Sequence, residues 1–389
     1  MTARRLASLA LLALLVAPAR GQDAPKQAPA LDVIADVLVE ARKNKVLQER
    51  LFAEHIYYAE GRNPTLARIH GKDDGQGFVL EVDVEQLARG STIKIQYAFD
   101  AKGAMTKIAM REERGERGEG IECVVSGDTV TVSRVRAGKP PEEGKPSPWR
   151  RDALPMVFTP FFLSSVADQG LPDRLTGALF RDVKPGRSSS YRDGATFVRG
   201  GELSEGGVKY QVFTMETESN PIQTLVFADG PQKGLLARIR IDYKKETPDE
   251  EYRLLSAEEA KKLLAEKDAL VNEAKVVRLL ESLEWKQREQ KQQGANGAGS
   301  FADEASKLGI KDEEFSGYEL LMRVSADGKR WMVVALPLGK GKSGKRYLAA
   351  VGGDANDAGD VEGAGVYASD KEIPMSDDCK LPAGLKKLR

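Results

Sequence analysis

The sequence has very few of the residues on which most catalytic and metal sites depend. Of its 389 residues, only His55 and His70 are histidines, and only Cys123 and Cys379 are cysteines. Sites built on several histidines are therefore excluded. We predict a protein that is not an enzyme and that binds no cofactor. The alternative, a hydrolase, would need a carboxylate pair or a serine site assembled from distant positions.

The chain also lacks an excess of charge of either sign. Its 59 lysines and arginines balance 59 aspartates and glutamates, so the formal net charge is zero. Proteins that bind nucleic acid by neutralising phosphates are visibly basic. We therefore predict no nucleic-acid partner.

Long hydrophobic runs are absent as well. The most apolar segment, Leu6 to Val16, is shorter than the roughly 20 residues that a membrane-spanning helix needs. It follows Arg4 and Arg5 and precedes Ala17 and Ala19, an order typical of a secretory signal peptide. We predict that residues 1–21 are a signal peptide and that the mature chain is periplasmic or extracellular without a transmembrane anchor.

Export makes the two cysteines relevant, because disulfides persist in oxidising compartments. Cys123 and Cys379 could form a disulfide or remain buried thiols. Cys123 lies in the strand-like run Ile121 to Val125, and this position favours a buried thiol.

Residues 31–250 are predicted to form a domain with a leading helix and an antiparallel sheet. Apolar residues recur at helical spacing from Leu31 to Phe52, and His55 is placed late in that helix. Short alternating runs separated by tight turns then indicate a β-meander. Gly138 to Pro155 is interpreted as an exposed proline-rich loop. The apolar segment Met156 to Leu163 after it is interpreted as core, with a ligand lid as the alternative.

Residues 256–389 are predicted to form a second domain, which gives an α+β fold overall. Ser256 and Glu259 form a capping-box pattern at the start of a long helix, Ala257 to Gln292. Short strands with glycine turns follow, and they predict a small antiparallel sheet against which the helix packs. Because the helix is longer than such a sheet, we expect a kink near Lys267 or packing of its first half on the preceding domain.

The second domain carries an ordered series of short motifs. They are Asn272-Glu-Ala274, Leu279, Leu283, Phe301, Leu308-Gly309, Gly317-Tyr-Glu319, Asp327-Gly-Lys329, Pro337-Leu338 and Gly344-Lys-Arg-Tyr347. This series resembles the soluble head domain of type IV pilin-like and pseudopilin-like proteins. The resemblance implies a helix-plus-sheet fold that can assemble. In pilins the assembling helix follows a prepilin signal, whereas here it follows a domain, so filament membership is left open.

The first domain is similar in layout to half-barrel proteins of the lipoprotein-carrier type. In that layout, a leading helix is partly wrapped by an antiparallel sheet that shields apolar ligands. The resemblance implies a lipid or a lipoprotein acyl chain as the ligand.

An acidic segment near the C-terminus is the one candidate metal site. Asp354, Asp357, Asp360 and Glu362 could supply the oxygen ligands that calcium prefers. Major pseudopilins hold calcium in their C-terminal loop, so the resemblance implies the same metal here. The alternative is a solvated acidic loop. The basic residues just upstream, Lys340 to Arg346, are interpreted as a solvated hairpin tip.

These observations together predict a non-catalytic exported protein of a bacterial cell envelope that acts by binding or assembly. Its partners would be envelope proteins or an apolar ligand. The alternative function is a carrier of an apolar ligand in the N-terminal half-barrel.

Overall fold

The structure of the protein is a computed structural model that describes most of the chain. The described residues are 28–60, 64–114, 117–155, 159–181, 190–216, 221–241, 250–292, 300–311, 315, 317–339, 343–354 and 364–388. In this part of the chain, sixteen strands form a large sheet and five form a small sheet. The predicted signal peptide lies outside the described residues. No helix among those described is long and apolar enough to cross a membrane.

The large sheet follows chain order except at one point, where its first and last strands pair with each other. Tyr57 in β1 lies opposite Leu254 in β16, so β1 has β2 on one side and β16 on the other. The strands pair antiparallel except β10 with β11, which confirms the predicted antiparallel sheet. The strands of the large sheet are β1 (His55–Ala59), β2 (Thr65–Asp73), β3 (Gly77–Gln86), β4 (Ser91–Asp100), β5 (Met105–Arg114), β6 (Arg117–Ser126), β7 (Thr129–Arg136), β8 (Glu142–Glu143), β9 (Ser147–Pro148), β10 (Ala153–Pro155), β11 (Arg174–Arg181), β12 (Ser190–Glu205), β13 (Val208–Glu216), β14 (Ile222–Phe227), β15 (Leu236–Ile241) and β16 (Glu250–Leu254).

A single segment joins the two ends of this sheet. β9 pairs with β7, and β10, a few residues later, pairs with β11 at the far end. Between them, the backbone N–H of Trp149 donates to the backbone carbonyl of Asp128 at 2.8 Å. The Trp149 indole lies 5.4 Å from the ring of Phe180, measured between ring centroids. The predicted exposed loop is therefore wrong for its second half, because burial of Trp149 draws the segment onto the sheet. Strand pairing does not close the sheet in the described residues.

Short helical segments cover one face of the large sheet, and we call them the plug. They are α1 (Ala30–Lys43), the π-helical turns Gln48–Phe52 and Thr159–Leu163, and the 3-10 helix Ser164–Gln169. Their apolar side chains share one core with residues of the sheet such as Tyr97, Phe197 and Phe213. This is the apolar burial that the alternating runs of the sequence require.

The predicted first helix is too long. It ends at Lys43, because Lys45 adopts a left-handed backbone conformation with φ of 61° that a continuous helix cannot contain. His55 then begins strand β1 and is not part of the helix.

The capping box is confirmed, and the long helix is divided in two. The Ser256 side chain accepts from the Glu259 N–H, and the Glu259 side chain accepts from the Ser256 N–H. Helix α2 (Ala257–Ala265) ends at Glu266, and α3 (Lys267–Gln292) begins directly after it. Residues of α2 and the start of α3 pack with Tyr58, Leu66 and Leu87, on the large-sheet face opposite the plug. The predicted kink near Lys267 is therefore confirmed, and α2 with the start of α3 packs on the large sheet while the rest of α3 packs on the small sheet.

The small sheet lies against α3 on one face and the C-terminal tail on the other. Val276, Leu280 and Leu283 of α3 pack with Trp331 and Val333. Ile373 and Cys379 of the tail cover the opposite face, and Cys379 is not bonded to Cys123. The strands of the small sheet, in spatial and chain order, are β17 (Tyr318–Val324), β18 (Arg330–Pro337), β19 (Tyr347–Gly353), β20 (Gly365–Ser369) and β21 (Lys386–Lys387).

A buried ion pair lies where the two parts of the chain meet. Glu273 of α3 is 5 % exposed, and its carboxylate accepts two hydrogen bonds from the Arg346 guanidinium at 2.9 and 2.7 Å. Arg346 also lies 3.8 Å from Glu60, which directly follows β1. The interpretation of residues 340–346 as a solvated tip is therefore wrong for Arg346, because a buried carboxylate binds it.

Candidate functional site

Of the four predicted calcium ligands, Asp354 alone lies within the described residues, so the predicted site stays a prediction. Asp354 follows β19 and forms an ion pair with Lys291 at the end of α3. Asp357, Asp360 and Glu362 lie outside the described residues. Within the described residues, no three side chains of the metal-binding types are grouped around one point.

The histidines lie on neighbouring strands and do not form a site together. His70 in β2 lies between two carboxylates of β3, 3.4 Å from Glu81 and 3.7 Å from Asp83. Burial lowers the pKa of His55. The Nε2 atom of His55 is buried without a hydrogen-bond partner among the described residues.

The candidate site is a cleft of about 250 Å³ where the plug meets strands β12 to β14 and the turn after β14. Its apolar lining includes Phe213 and Val226, which are 3 % and 4 % exposed and belong to the core beneath the plug. The cleft is therefore a surface opening that leads toward the plug-covered face of the large sheet. Its charged lining residues are Arg50, Asp168, Arg199, Glu202 and Lys233.

An ion pair within the plug forms one wall of the cleft, and we call it the latch. Arg50 donates to both carboxylate oxygens of Asp168, at 2.8 and 2.9 Å, and to the Ser165 carbonyl at 2.8 Å. A bidentate arginine–carboxylate contact fixes orientation as well as distance. The latch thus joins the π-helical turn after α1 to the 3-10 helix of the plug.

Gly234, after β14, is the residue of the sheet side that the latch approaches most closely. A Cβ atom there would lie 2.1 Å from the Arg50 guanidinium carbon, and the glycine has a φ of +83°. Both the space and the backbone conformation therefore require glycine at this position.

Arg199 of β12 ties the sheet to the plug on the other side of the cleft. Its guanidinium donates to the Ala167 carbonyl at 2.7 Å and lies 5.8 Å from the centre of the Phe213 ring. Arg199 thus bonds the sheet to the plug at this edge, whereas Arg50 bonds two segments of the plug to each other.

Two buried hydroxyls at the contact between plug and sheet have no hydrogen-bond partner among the described residues. They belong to Ser165 of the plug, which is fully buried, and Thr224 of β14, which is 1 % exposed. An unsatisfied buried hydroxyl costs about 1–3 kcal/mol. This contact is therefore less stable than an apolar one of the same area would be.

The latch is expected to weaken in acid. Burial opposes ionisation of Asp168, but hydrogen bonds from Arg50 and Gln169 and the charge of Arg50 outweigh it, so the pKa of this carboxyl is lowered. A carboxyl whose pKa is lowered by folding contributes stability above its ordinary pKa of about 4 and loses it as pH falls through the lowered value.

We therefore expect Asp168→Asn to lower the free energy of unfolding by about 1 kcal/mol at pH 7, since the pair is partly exposed. The difference from the parent protein should begin to shrink as pH falls through the ordinary carboxyl pKa of about 4, and it should vanish below the lowered pKa of Asp168. Urea titrations at several pH values measure it, with Asp193→Asn as a control because this carboxylate is 80 % exposed. A difference that stays constant from pH 7 to pH 3 would contradict the latch.

Sequence reasoning did not identify this cleft. Arg50, Asp168, Arg199 and Gly234 are far apart in the chain, and no short motif joins them. The one available signal was the apolar segment Met156 to Leu163, for which a ligand lid was the alternative interpretation. Phe162 and Leu163 are fully buried within the plug, and residues 156–158 lie outside the described part of the chain.

Comparison with known proteins gives no assignment for either part of the chain. No protein-family model matches the sequence, and the search of curated proteins returns no significant similarity.

Proposed function

We propose that this protein is an exported, non-catalytic binding protein of a bacterial cell envelope that carries an apolar ligand under its plug. The ligand class would be a lipid or another molecule with an acyl chain. In this proposal, the large sheet provides a half-barrel-like binding surface, and the second domain serves in docking or assembly.

The observation that carries the proposal is how the large sheet is covered. Short helical segments, rather than a second sheet, bury its apolar face, and these segments share a single core with it. Outward movement of the plug would expose side chains such as Tyr97, Phe197 and Phe213 to a ligand. An acyl chain that replaced the plug would restore the burial of this apolar surface.

The chemistry of the cleft supports a ligand with an anionic head. Its charged lining has three cationic side chains, Arg50, Arg199 and Lys233, against two carboxylates, Asp168 and Glu202. Lys233 is exposed on the turn after β14 and could bind a carboxylate or phosphate. Apolar residues directly below, Phe213 and Val226, would contact the first part of the chain.

The energetics of the plug support its movement. The latch weakens when Asp168 is protonated, and the hydroxyls of Ser165 and Thr224 would gain hydrogen bonds from water once the contact opened. The unpaired hydroxyls lower the cost of opening relative to a fully apolar contact, and protonation of Asp168 would lower it further.

The experiment is a titration of the mature protein with the apolar fluorophore N-phenylnaphthylamine, followed by displacement with a long-chain fatty acid. We expect saturable binding and competitive displacement. Arg50→Gln removes the latch between two plug segments, so that the 3-10 helix can move outward without the turn after α1. It should tighten probe binding about five-fold, since about 1 kcal/mol less is needed for this opening.

The matched control is Arg240→Gln. Arg240 also pairs with carboxylates, those of Glu205 and Glu251, but it lies outside the cleft. Probe affinity should therefore stay unchanged in this variant. Absence of saturable binding in both the parent protein and folded Arg50→Gln would overturn the carrier proposal, and so would equal tightening in Arg240→Gln.

A further inference from the structure

Among the described residues, strand β17 is an edge strand of the small sheet and pairs with β18 on one side only. A groove of about 360 Å³ runs beside it, lined by Leu320 to Arg323 and, from other segments, by Asp303 to Ala305 and Met375. Leu321 is 39 % exposed. An edge strand with an exposed apolar side chain is a surface on which another strand can add.

The direction of the free backbone groups follows from the pairing with β18. The Ser325 N–H donates to the Arg330 carbonyl, and the Leu338 N–H donates to the Gly317 carbonyl, each at 2.9 Å. In an antiparallel pair the hydrogen-bonded residues alternate, so the odd-numbered residues of β17 bond to β18. The backbone N–H and carbonyl groups of Leu320, Met322 and Val324 therefore point outward, away from β18. In the described residues, no backbone hydrogen bond from a turn or loop reaches these groups.

The side chains of β17 make the strand complementary to itself. If two copies pair antiparallel about a two-fold axis at Leu321, each Glu319 lies opposite the Arg323 of the other copy. The same register places Leu320 of one copy opposite Met322 of the other, and the backbone groups of these two residues then bond to each other. A register shifted by two residues in either direction loses both Glu319–Arg323 pairs. Opposite charges in facing positions stabilise a strand pair, and like charges destabilise it.

We propose that β17 forms an antiparallel pair with β17 of a second copy of this chain, which joins two small sheets into one. The two Leu321 side chains then meet at the axis in a closely spaced, non-hydrogen-bonded position. Glu319 is exposed and available for this contact. Arg323 already pairs with Asp377, whose side chain is 97 % exposed, so the guanidinium lies at the surface within reach of a second carboxylate. The contact is small, so we expect a dimer of micromolar rather than nanomolar affinity.

Sedimentation velocity of the mature protein over a concentration series tests the pairing. The parent protein should be a reversible dimer. Glu319→Arg places arginine opposite Arg323 twice and should raise the dissociation constant roughly ten-fold or more. The double variant Glu319→Arg/Arg323→Glu restores opposite charges and should restore the dimer. Glu289→Arg on α3, an exposed position outside β17, should leave it unchanged.

A cross-linking experiment tests the register independently of stability. Leu321→Cys should form an intermolecular disulfide on mild oxidation, because Cα atoms at a non-hydrogen-bonded pair are about 4.5 Å apart, within disulfide range. Glu319→Cys should not, because the two cysteines would lie four residues apart along the strands, about 13 Å. A parent protein that is monomeric at every concentration would overturn the proposal. So would a dimer that Glu319→Arg does not weaken, or equal cross-linking of the two cysteine variants. Probe binding in the cleft is a separate measurement, so the dimer and the carrier proposal can fail independently.

Discussion

Replacing Glu273 with alanine is expected to lower the free energy of unfolding by about 3–5 kcal/mol. The carboxylate accepts hydrogen bonds from the guanidinium of Arg346 and from the backbone N–H groups of Lys345 and Arg346. Without it, the Arg346 side chain, 22 % exposed, would keep its charge at a largely buried position, and its remaining counter-ion would be the exposed carboxylate of Glu60 at 3.8 Å. Urea denaturation followed by tryptophan fluorescence measures the loss, since Trp331 is buried in the core that α3 shares with the small sheet.

The control is Glu289→Ala on the same helix. Glu289 is exposed, so its removal should change stability by less than about 0.5 kcal/mol. The double variant Glu273→Leu/Arg346→Met should recover much of the loss, because apolar side chains of similar size avoid the cost of a buried unpaired charge. Equal effects of Glu273→Ala and Glu289→Ala would show that the buried pair does not stabilise the junction.

The pair also affects a neighbouring tyrosine. Burial and the carboxylates of Glu60 and Glu273 together raise the pKa of Tyr58 to about 12. Tyr58 belongs to the apolar cluster that α2 and the start of α3 form on the large sheet. The junction thus combines a buried ion pair with apolar packing, and both depend on the position of α3.

Replacing Phe162 with alanine should cost about 3–5 kcal/mol in the large-sheet part of the protein. Phe162 is fully buried in the plug, and its ring packs edge-on against Tyr97 of the sheet with centroids 5.7 Å apart. Its removal would leave a cavity at the contact between plug and sheet. Thermal unfolding monitored through Trp149, which is buried in the same core, measures the effect.

The neighbouring residue provides a matched control. Phe161 is half-buried, so Phe161→Ala should cost roughly half as much or less. If the carrier proposal is correct, Phe162→Ala should also bind the apolar fluorophore more tightly, because the cavity favours an apolar guest. A cost at Phe162 no greater than at Phe161 would contradict the packing described for the plug.

Local signals predicted those parts of the fold whose physics is local. The capping box at Ser256 and the short alternating runs of the predicted β-meander both depend on residues within a few positions of one another, and both are present. The break between α2 and α3 could be predicted because a straight helix would exceed the width of a small sheet. The antiparallel arrangement followed from short turns between strands.

Features that depend on distant contacts could not be predicted in this way. No strong sequence signal marks the positive φ at Lys45, so the sequence predicts a first helix that continues through His55. The sheet residues that Trp149 contacts lie tens of positions before and after it in the chain. Its own segment therefore predicts an exposed loop. The sequence predicts a solvated Arg346, because its partner Glu273 lies on another element, far away in the chain. The latch and the self-complementarity of β17 likewise become visible only once the fold brings their residues together.

The pairing of β1 with β16 has a consequence for the order of folding. β1 occupies an interior position in the large sheet, yet one of its two partners is the last strand of that sheet along the chain. The sheet cannot be completed until residues 250–254 have been synthesised. Strand β1, near the start of the chain, therefore gains its second partner strand only after β16 has been made. Contacts between such distant segments make folding slow. The large sheet therefore cannot be completed before the first 254 residues have left the ribosome.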